Sequence, residues 1–148
     1  MSATERPTID LTASCACGAV NATVSGRVLS MLLCSCEDCQ RSTGAGHAAV
    51  FAVERTALSV GGETTEFSRP ADSGATFTRY FCPRCGTPIY GESSRAARLV
   101  LVPVGLFGGA AAEWFRPTQL IFARSHRDWD IIADALPRHA TYRSQEMR

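Results

Sequence analysis

Seven cysteines in three tight groups constrain this chain more than any other feature. They read Cys15-Ala-Cys17-Gly18, then Cys34-Ser-Cys36-Glu-Asp-Cys39, then Cys82-Pro-Arg-Cys85-Gly86. Thiolates at Cys-x-Cys and Cys-x-x-Cys spacing can converge on one ion at roughly 2.3 Å in a tetrahedral site. Soft sulfur ligands select zinc or iron–sulfur over magnesium or calcium, and the spacing matches neither ferredoxin pattern, which favours zinc. A disulfide framework is the competing use. It needs an oxidising compartment, and the opening residues Met1 to Pro7 contain no apolar segment resembling a signal peptide. Cys-x-Cys neighbours are also awkward disulfide partners, and a 148-residue chain buries an adequate core without staples.

Two pairs supply the four ligands of a closed site. In both, a glycine follows the last thiol, and glycine takes positive φ at little cost, letting backbone amides turn in toward sulfur. The sequence therefore predicts a structural zinc on Cys15, Cys17, Cys82 and Cys85, which closes a long loop and contributes directly to folding. The triplet Cys34, Cys36 and Cys39 is left with three ligands and one open position, the arrangement of a catalytic zinc. That position can take water or the sulfur of an incoming thiol, which zinc would make more acidic. Alternatively His47, Glu37 or Asp38 closes it as a second structural site. Spacing does not choose between these.

Charge and hydropathy narrow the classes. Fifteen basic against fourteen acidic residues leave a net charge of +1, without the basic face that gripping a nucleic-acid backbone requires. Lysine is absent, so arginine supplies every basic side chain counted, and its planar fork suits carboxylate contacts. The longest apolar run, residues 99–104, is strand-sized and far short of a membrane span. The expectation is a reducing, cytoplasmic setting.

Short β signals dominate the chain. Residues 19–24 alternate, with Val20, Ala22 and Val24 on one face. Further strands are expected at 28–33, 48–53, 57–60, 64–67, 76–81, 88–90, 99–104 and 120–123, the first and fifth of these feeding cysteine groups. Residues 1–11 read as a lead-in, 68–74 as a loop, and 106–112 is unassigned. Trp129, Ile132, Ala133 and Leu136 recur at helical spacing, which predicts a helix over 128–136 stopped by Pro137. The expected architecture is mainly β: small packed antiparallel sheets joined by zinc knuckles, with one short C-terminal helix.

The motifs together resemble the glutathione-dependent formaldehyde-activating family, which includes the centromere protein V type. The matching residues are Cys15-Ala-Cys17-Gly18; the triplet followed by Gln40-Arg41-Ser42-Thr43-Gly44; Arg79-Tyr80-Phe81-Cys82-Pro83-Arg84-Cys85-Gly86-Thr87; and the ending Pro117 to Phe122 with Trp129 and Ile132. The resemblance spans roughly residues 12–137 and all seven cysteines. It implies an Mss4-like fold, a single zinc-binding domain over 1–148, and two zincs per chain. One is structural (Cys15, Cys17, Cys82, Cys85) and one catalytic (Cys34, Cys36, Cys39), the latter able to stand partly empty. The implied reaction adds glutathione to formaldehyde, giving S-hydroxymethylglutathione, a carbon–sulfur lyase in the reverse sense. Its partners would be a small thiol and an aldehyde, with neither nucleic acid nor membrane.

Several further positions bear on the site. Leu120 stands where relatives often carry histidine. Arg41, beside the triplet, is the candidate contact for a thiol substrate's carboxylate, with Arg69 and Arg79 as weaker candidates. His47 serves as base, as fourth ligand or simply as a hydrogen-bonded strand residue. The competing function is a non-catalytic, zinc-stabilised Mss4-like binding module.

Overall fold

The computed structural model describes residues 5–143. In chain order its elements are β1 (Thr8–Ser14), β2 (Asn21–Arg27), β3 (Ser30–Cys34), α1 (Glu37–Thr43), β4 (Ala48–Glu54), β5 (Leu58–Gly61), β6 (Thr65–Pro70), β7 (Thr76–Phe81), β8 (Pro88–Ser93), β9 (Leu99–Pro103) and β10 (Leu120–Ile121), with short 3-10 segments between. The fold is mainly β, as the sequence predicts. The residues sort into two compact units, each built from discontinuous stretches: 31–50 with 115–143, and Arg6–Ser30 with Phe51–Trp114.

In the second of these, β1 and β2 form an antiparallel hairpin running in register from Thr8↔Arg27 to Ser14↔Asn21, and β5 pairs with the other edge of β2. Alternation puts Ile9 inward on β1 and Ala22 and Val24 inward on β2, all buried. β1 occupies part of what the sequence predicts as a lead-in. Its Thr-Ile-Asp-Leu-Thr-Ala-Ser pattern is a clean period of two, and pairing with β2 satisfies its backbone. A meander of β6, β7, β8 and β9 completes the unit, with β9 also beside β4. Phe51, fully buried, anchors an aromatic cluster with Trp114 edge-on at 5.1 Å and Phe107 at 5.9 Å. Residues 68–70, expected as loop, complete β6, and the unassigned 106–112 fall largely in the 3-10 segment Val104–Ala111. Arg69 lies over the Phe77 ring and Arg79 over Phe67, each at 5.0 Å, so both guanidinium groups cover aromatic faces.

In the other unit, β3 is buried from Met31 through Cys34, a run expected of a strand covered on both faces. β10 pairs with it in parallel, Leu120↔Leu33 and Ile121↔Cys34, so this sheet is mixed, whereas the β1-β2-β5 sheet is purely antiparallel. Leu120 is fully buried, and its own N–H and C=O bond Pro137 and His139 at 2.8 and 2.9 Å.

That pairing explains a correction. The expected C-terminal helix over 128–136 does not form; the segment is a series of turns. Trp129 is 67% exposed rather than packed in a core. The chain must loop away from β10 and return beside Leu120, and the amides of Asp130 and Leu136 reach back only three residues, to Arg127 and Ala133. Tertiary hydrogen bonds override helical periodicity here. Among the described residues the α-helix is instead α1. Cys36 is its N-cap, Glu37 and Asp38 fill the first turn, and Gly44 closes it in the left-handed conformation at φ 70°.

Candidate metal centres

Two hairpin turns build the four-cysteine group. Residues 15–20 connect β1 to β2, and residues 82–87 connect β7 to β8. The turns are near copies. The Gly18 amide bonds Cys15 O at 3.0 Å and the Gly86 amide bonds Cys82 O at 2.9 Å, with φ of 81° and 77° at the two glycines. Each turn then aims an amide at its first sulfur: Val20 N–H at Cys15 Sγ (3.3 Å) and Arg84 N–H at Cys82 Sγ (3.4 Å). The expected glycine geometry is therefore present in both. Cys15 and Cys82 are buried among Val20, Ala22 and Ile89, whereas Cys17 and Cys85 face outward.

The sulfur atoms fit one tetrahedral ion. All four lie within 4.8 Å of one another, and the Cys15–Cys17 and Cys17–Cys82 separations are 3.6 and 3.7 Å. A tetrahedron with bonds of roughly 2.3 Å has edges of roughly 3.8 Å. Proton affinity is unevenly spread. The Thr87 hydroxyl, the Thr87 amide and the Cys17 amide draw the Cys85 thiol down to about 5. At Cys17 the Ala19 amide pulls down, but desolvation and the crowd of neighbouring sulfurs outweigh it and push the thiol up to about 11. Sulfurs this close resist carrying charge together, and a divalent cation is what allows all four to be thiolates.

The triplet is made differently. Cys34 ends β3, Cys36 caps α1 and Cys39 lies in the first turn of α1, so one strand-to-helix corner delivers three sulfurs. They too lie within 4.8 Å of one another. Cys36 Sγ accepts the Cys39 amide at 3.3 Å. Hydrogen bonding with Cys36 and Cys39, then burial, raises the Cys34 thiol strongly. Cys34 is buried, and Cys36 and Cys39 are half-buried, against Leu32, Val50, Ile121, Phe122 and Tyr142. Three thiolates of this kind fit a zinc, and among the described residues no histidine or carboxylate joins them within the same distance. His47 instead engages Asp130, its Nδ1 and the carboxylate oxygen 2.7 Å apart.

The corner is held from outside by hydrogen bonds and packing that the sequence does not announce. Gln40 Nε2 donates to Ser35 O at 2.8 Å and to Ser125 O at 3.0 Å, tying α1 to the segment after β10. Arg127 donates to Gln40 Oε1 at 3.2 Å and to Glu37 Oε1 at 3.4 Å. Phe122 holds φ 56°, an uncommon conformation for a bulky residue, and packs edge-on against Tyr142 at 4.8 Å. The Ser35 hydroxyl, between two triplet cysteines, is buried and has no hydrogen-bond partner among the described residues. Arg41 is highly exposed and lies 3.7 and 3.5 Å from Glu37 and Asp38.

The glutathione-dependent formaldehyde-activating enzyme family matches residues 10–125 of this chain. No curated protein matches it. Among solved structures, a structural-genomics crystal structure of a Rhodobacter sphaeroides protein superposes with a TM-score of 0.52 at 24% identity, covering 67% of this chain and 89% of the other. That likeness shows a shared fold. All seven cysteines fall within the matched span.

Proposed function

The chain belongs to the glutathione-dependent formaldehyde-activating enzyme family, and from that premise we propose that it is a carbon–sulfur lyase joining a small thiol such as glutathione to an aldehyde at the Cys34–Cys36–Cys39 corner. The single observation that carries this reading is the contrast between the two cysteine groups. One offers four sulfurs and saturates a tetrahedral ion; the other offers three, from a single corner. Cys34, Cys36 and Cys39 would hold a zinc with a position left for substrate, and Cys15, Cys17, Cys82 and Cys85 would hold a structural one. When bound at the triplet, zinc supplies Lewis acidity that makes a thiol easier to deprotonate.

The remaining chemistry belongs to the reactants and the chain. The thiol sulfur loses its proton and attacks the carbonyl carbon, the C=O π pair moves to oxygen, and oxygen takes up a proton. The product from formaldehyde and glutathione is S-hydroxymethylglutathione; the reverse step cleaves the carbon–sulfur bond. The apolar wall of Leu32, Ile121 and Phe122 excludes water and strengthens electrostatic interactions at the sulfurs. Arg41 would reach a carboxylate of glutathione, exchanging it for Glu37 and Asp38. The seven free thiols fit a reducing cytoplasm.

The test is zinc stoichiometry combined with exchange spectroscopy. We expect two zincs per chain, one lost readily to chelator or perturbed by glutathione. We also expect faster exchange between free and glutathione-bound 13C-formaldehyde when the protein is present. One inert zinc with no glutathione binding would sink the proposal. A second reading, a zinc-stabilised binding module, draws support from Trp129 and Ile131, 67% and 88% exposed. It predicts no acceleration of exchange.

A further inference from the structure

Three ionisable side chains outside the cysteine groups meet in the unit that carries the triplet. His47 Nδ1 lies 2.7 Å from Asp130 Oδ2. His126 Nε2 lies 2.8 Å from the Asp130 carbonyl oxygen and 4.0 Å from the same carboxylate oxygen. All three side chains are largely enclosed, at 27%, 12% and 15% exposure for His47, Asp130 and His126. Gly46 makes the arrangement possible, because a Cβ there would come within 2.5 Å of the Asp130 side chain.

An aspartate that accepts from Nδ1–H fixes the imidazole tautomer and leaves Nε2 with its lone pair. Among the described residues no hydrogen bond occupies His47 Nε2. The His47 backbone is also tied to the triplet's helix. Thr43 Oγ1 donates to Cys39 O at 2.8 Å and lies 3.5 Å from His47 O, so the last cysteine and the histidine flank one threonine. The loop that carries Asp130 is pinned to the same helix through Gln40, Arg127 and Glu37.

We propose that His47, oriented by Asp130, is the proton acceptor for the thiol substrate at the triplet, directly or through one water. The inference rests on the function proposed above. In the forward direction His47 Nε2 takes the thiol proton and the sulfur keeps the electron pair. The thiolate then forms the carbon–sulfur bond, and Nε2–H returns its proton to the new alkoxide oxygen. Protons and electrons balance without an oxidant or reductant. Of the ionisable side chains, Asp130 pairs with His47, and His126 lies 4.0 Å from the same carboxylate.

The experiment counts protons released on binding glutathione, by calorimetry in buffers of different ionisation enthalpy, alongside the pH profile of exchange with formaldehyde. His47→Gln keeps a donor for Asp130 but cannot accept the thiol proton. We expect it to release close to one more proton per bound glutathione than wild type near neutral pH. Exchange should fall by roughly 10²- to 10⁴-fold with loss of the acid limb. Asp130→Asn, which keeps an acceptor for Nδ1 but removes the charge, should retain an acid limb and lose less rate than His47→Gln. Equal proton release and superimposable profiles in His47→Gln would overturn the role of His47 while leaving the lyase reading intact. Failure of wild type to bind glutathione at all would overturn both.

Discussion

Gly46 and Asp130 occupy one another's space: a Cβ built on Gly46 would lie 2.5 Å from Cβ, Cγ and Oδ2 of Asp130. Asp130 is the residue on which His47 and His126 converge, so a backbone position in the loop after α1 decides whether that carboxylate can be held. Gly46→Ala should therefore expel Asp130 from its seat. Overpacking of this kind costs typically 1–3 kcal/mol. The expected result is a lowered melting temperature, together with loss of the His47–Asp130 hydrogen bond, visible as a shifted imidazole proton resonance. A variant with wild-type stability and an unshifted resonance would show that Asp130 can move aside.

The two cysteine groups should respond differently to loss of one sulfur. Cys82 is fully buried and its group brings together the turns of two hairpins, so Cys82→Ser leaves three sulfurs and a hydroxyl in an apolar core. Structural zinc contributes folding free energy outright, and we expect Cys82→Ser to be recovered unfolded or as aggregate. Cys36→Ser removes a half-buried sulfur from a corner also held by Gln40 and by β10. It should keep a wild-type circular dichroism spectrum and bind one zinc instead of two. If both variants unfold alike, the division into structural and catalytic groups is wrong.

The cysteine spacing carried most of what could be read in advance, because ligand geometry is set within six residues and depends little on the rest of the fold. Both glycines after the knuckles are where that reasoning puts them. α1 is absent from the elements the sequence predicts: Glu37 and Asp38 behind a cap and Gly44 at the stop are helix signals, but the cap is a cysteine and cysteine reads first as a ligand. The His47–Asp130 pair spans 83 residues, and neither local period nor motif announces it. The helical spacing of Trp129, Ile132 and Leu136 misled because β10 draws residues 137–139 back beside Leu120, a constraint that acts only once the sheet exists.

A pH-dependent contribution to stability should come from Glu92 on β8. Tyr80 donates to its Oε1 at 2.7 Å and Arg55 pairs with Oε2. Burial pushes the carboxyl up, but these two hydrogen bonds outweigh it and hold the group below its ordinary value. A depressed carboxylate adds stability that is fully present above its unfolded value and is lost as pH falls through its folded one. Wild type should accordingly lose more melting temperature between pH 6 and pH 3 than Glu92→Gln does, in runs at equal ionic strength. Parallel curves would remove Glu92 from the acid response.

Arg41 offers the most direct test of what the triplet binds. Its guanidinium is 71% exposed and its ion pairs with Glu37 and Asp38 are open to solvent, where such pairs contribute roughly 0–1 kcal/mol. Arg41→Ala should therefore leave the melting temperature nearly unchanged. If Arg41 instead grips a glutathione carboxylate, the variant should bind glutathione several-fold to tenfold more weakly, while binding a carboxylate-free thiol such as cysteamine as well as wild type does. Weakening of both thiols alike would mean that Arg41 acts on the corner itself, through Glu37 and Asp38. No weakening of either would return Arg41 to the surface and leave the carboxylates of the thiol to other groups.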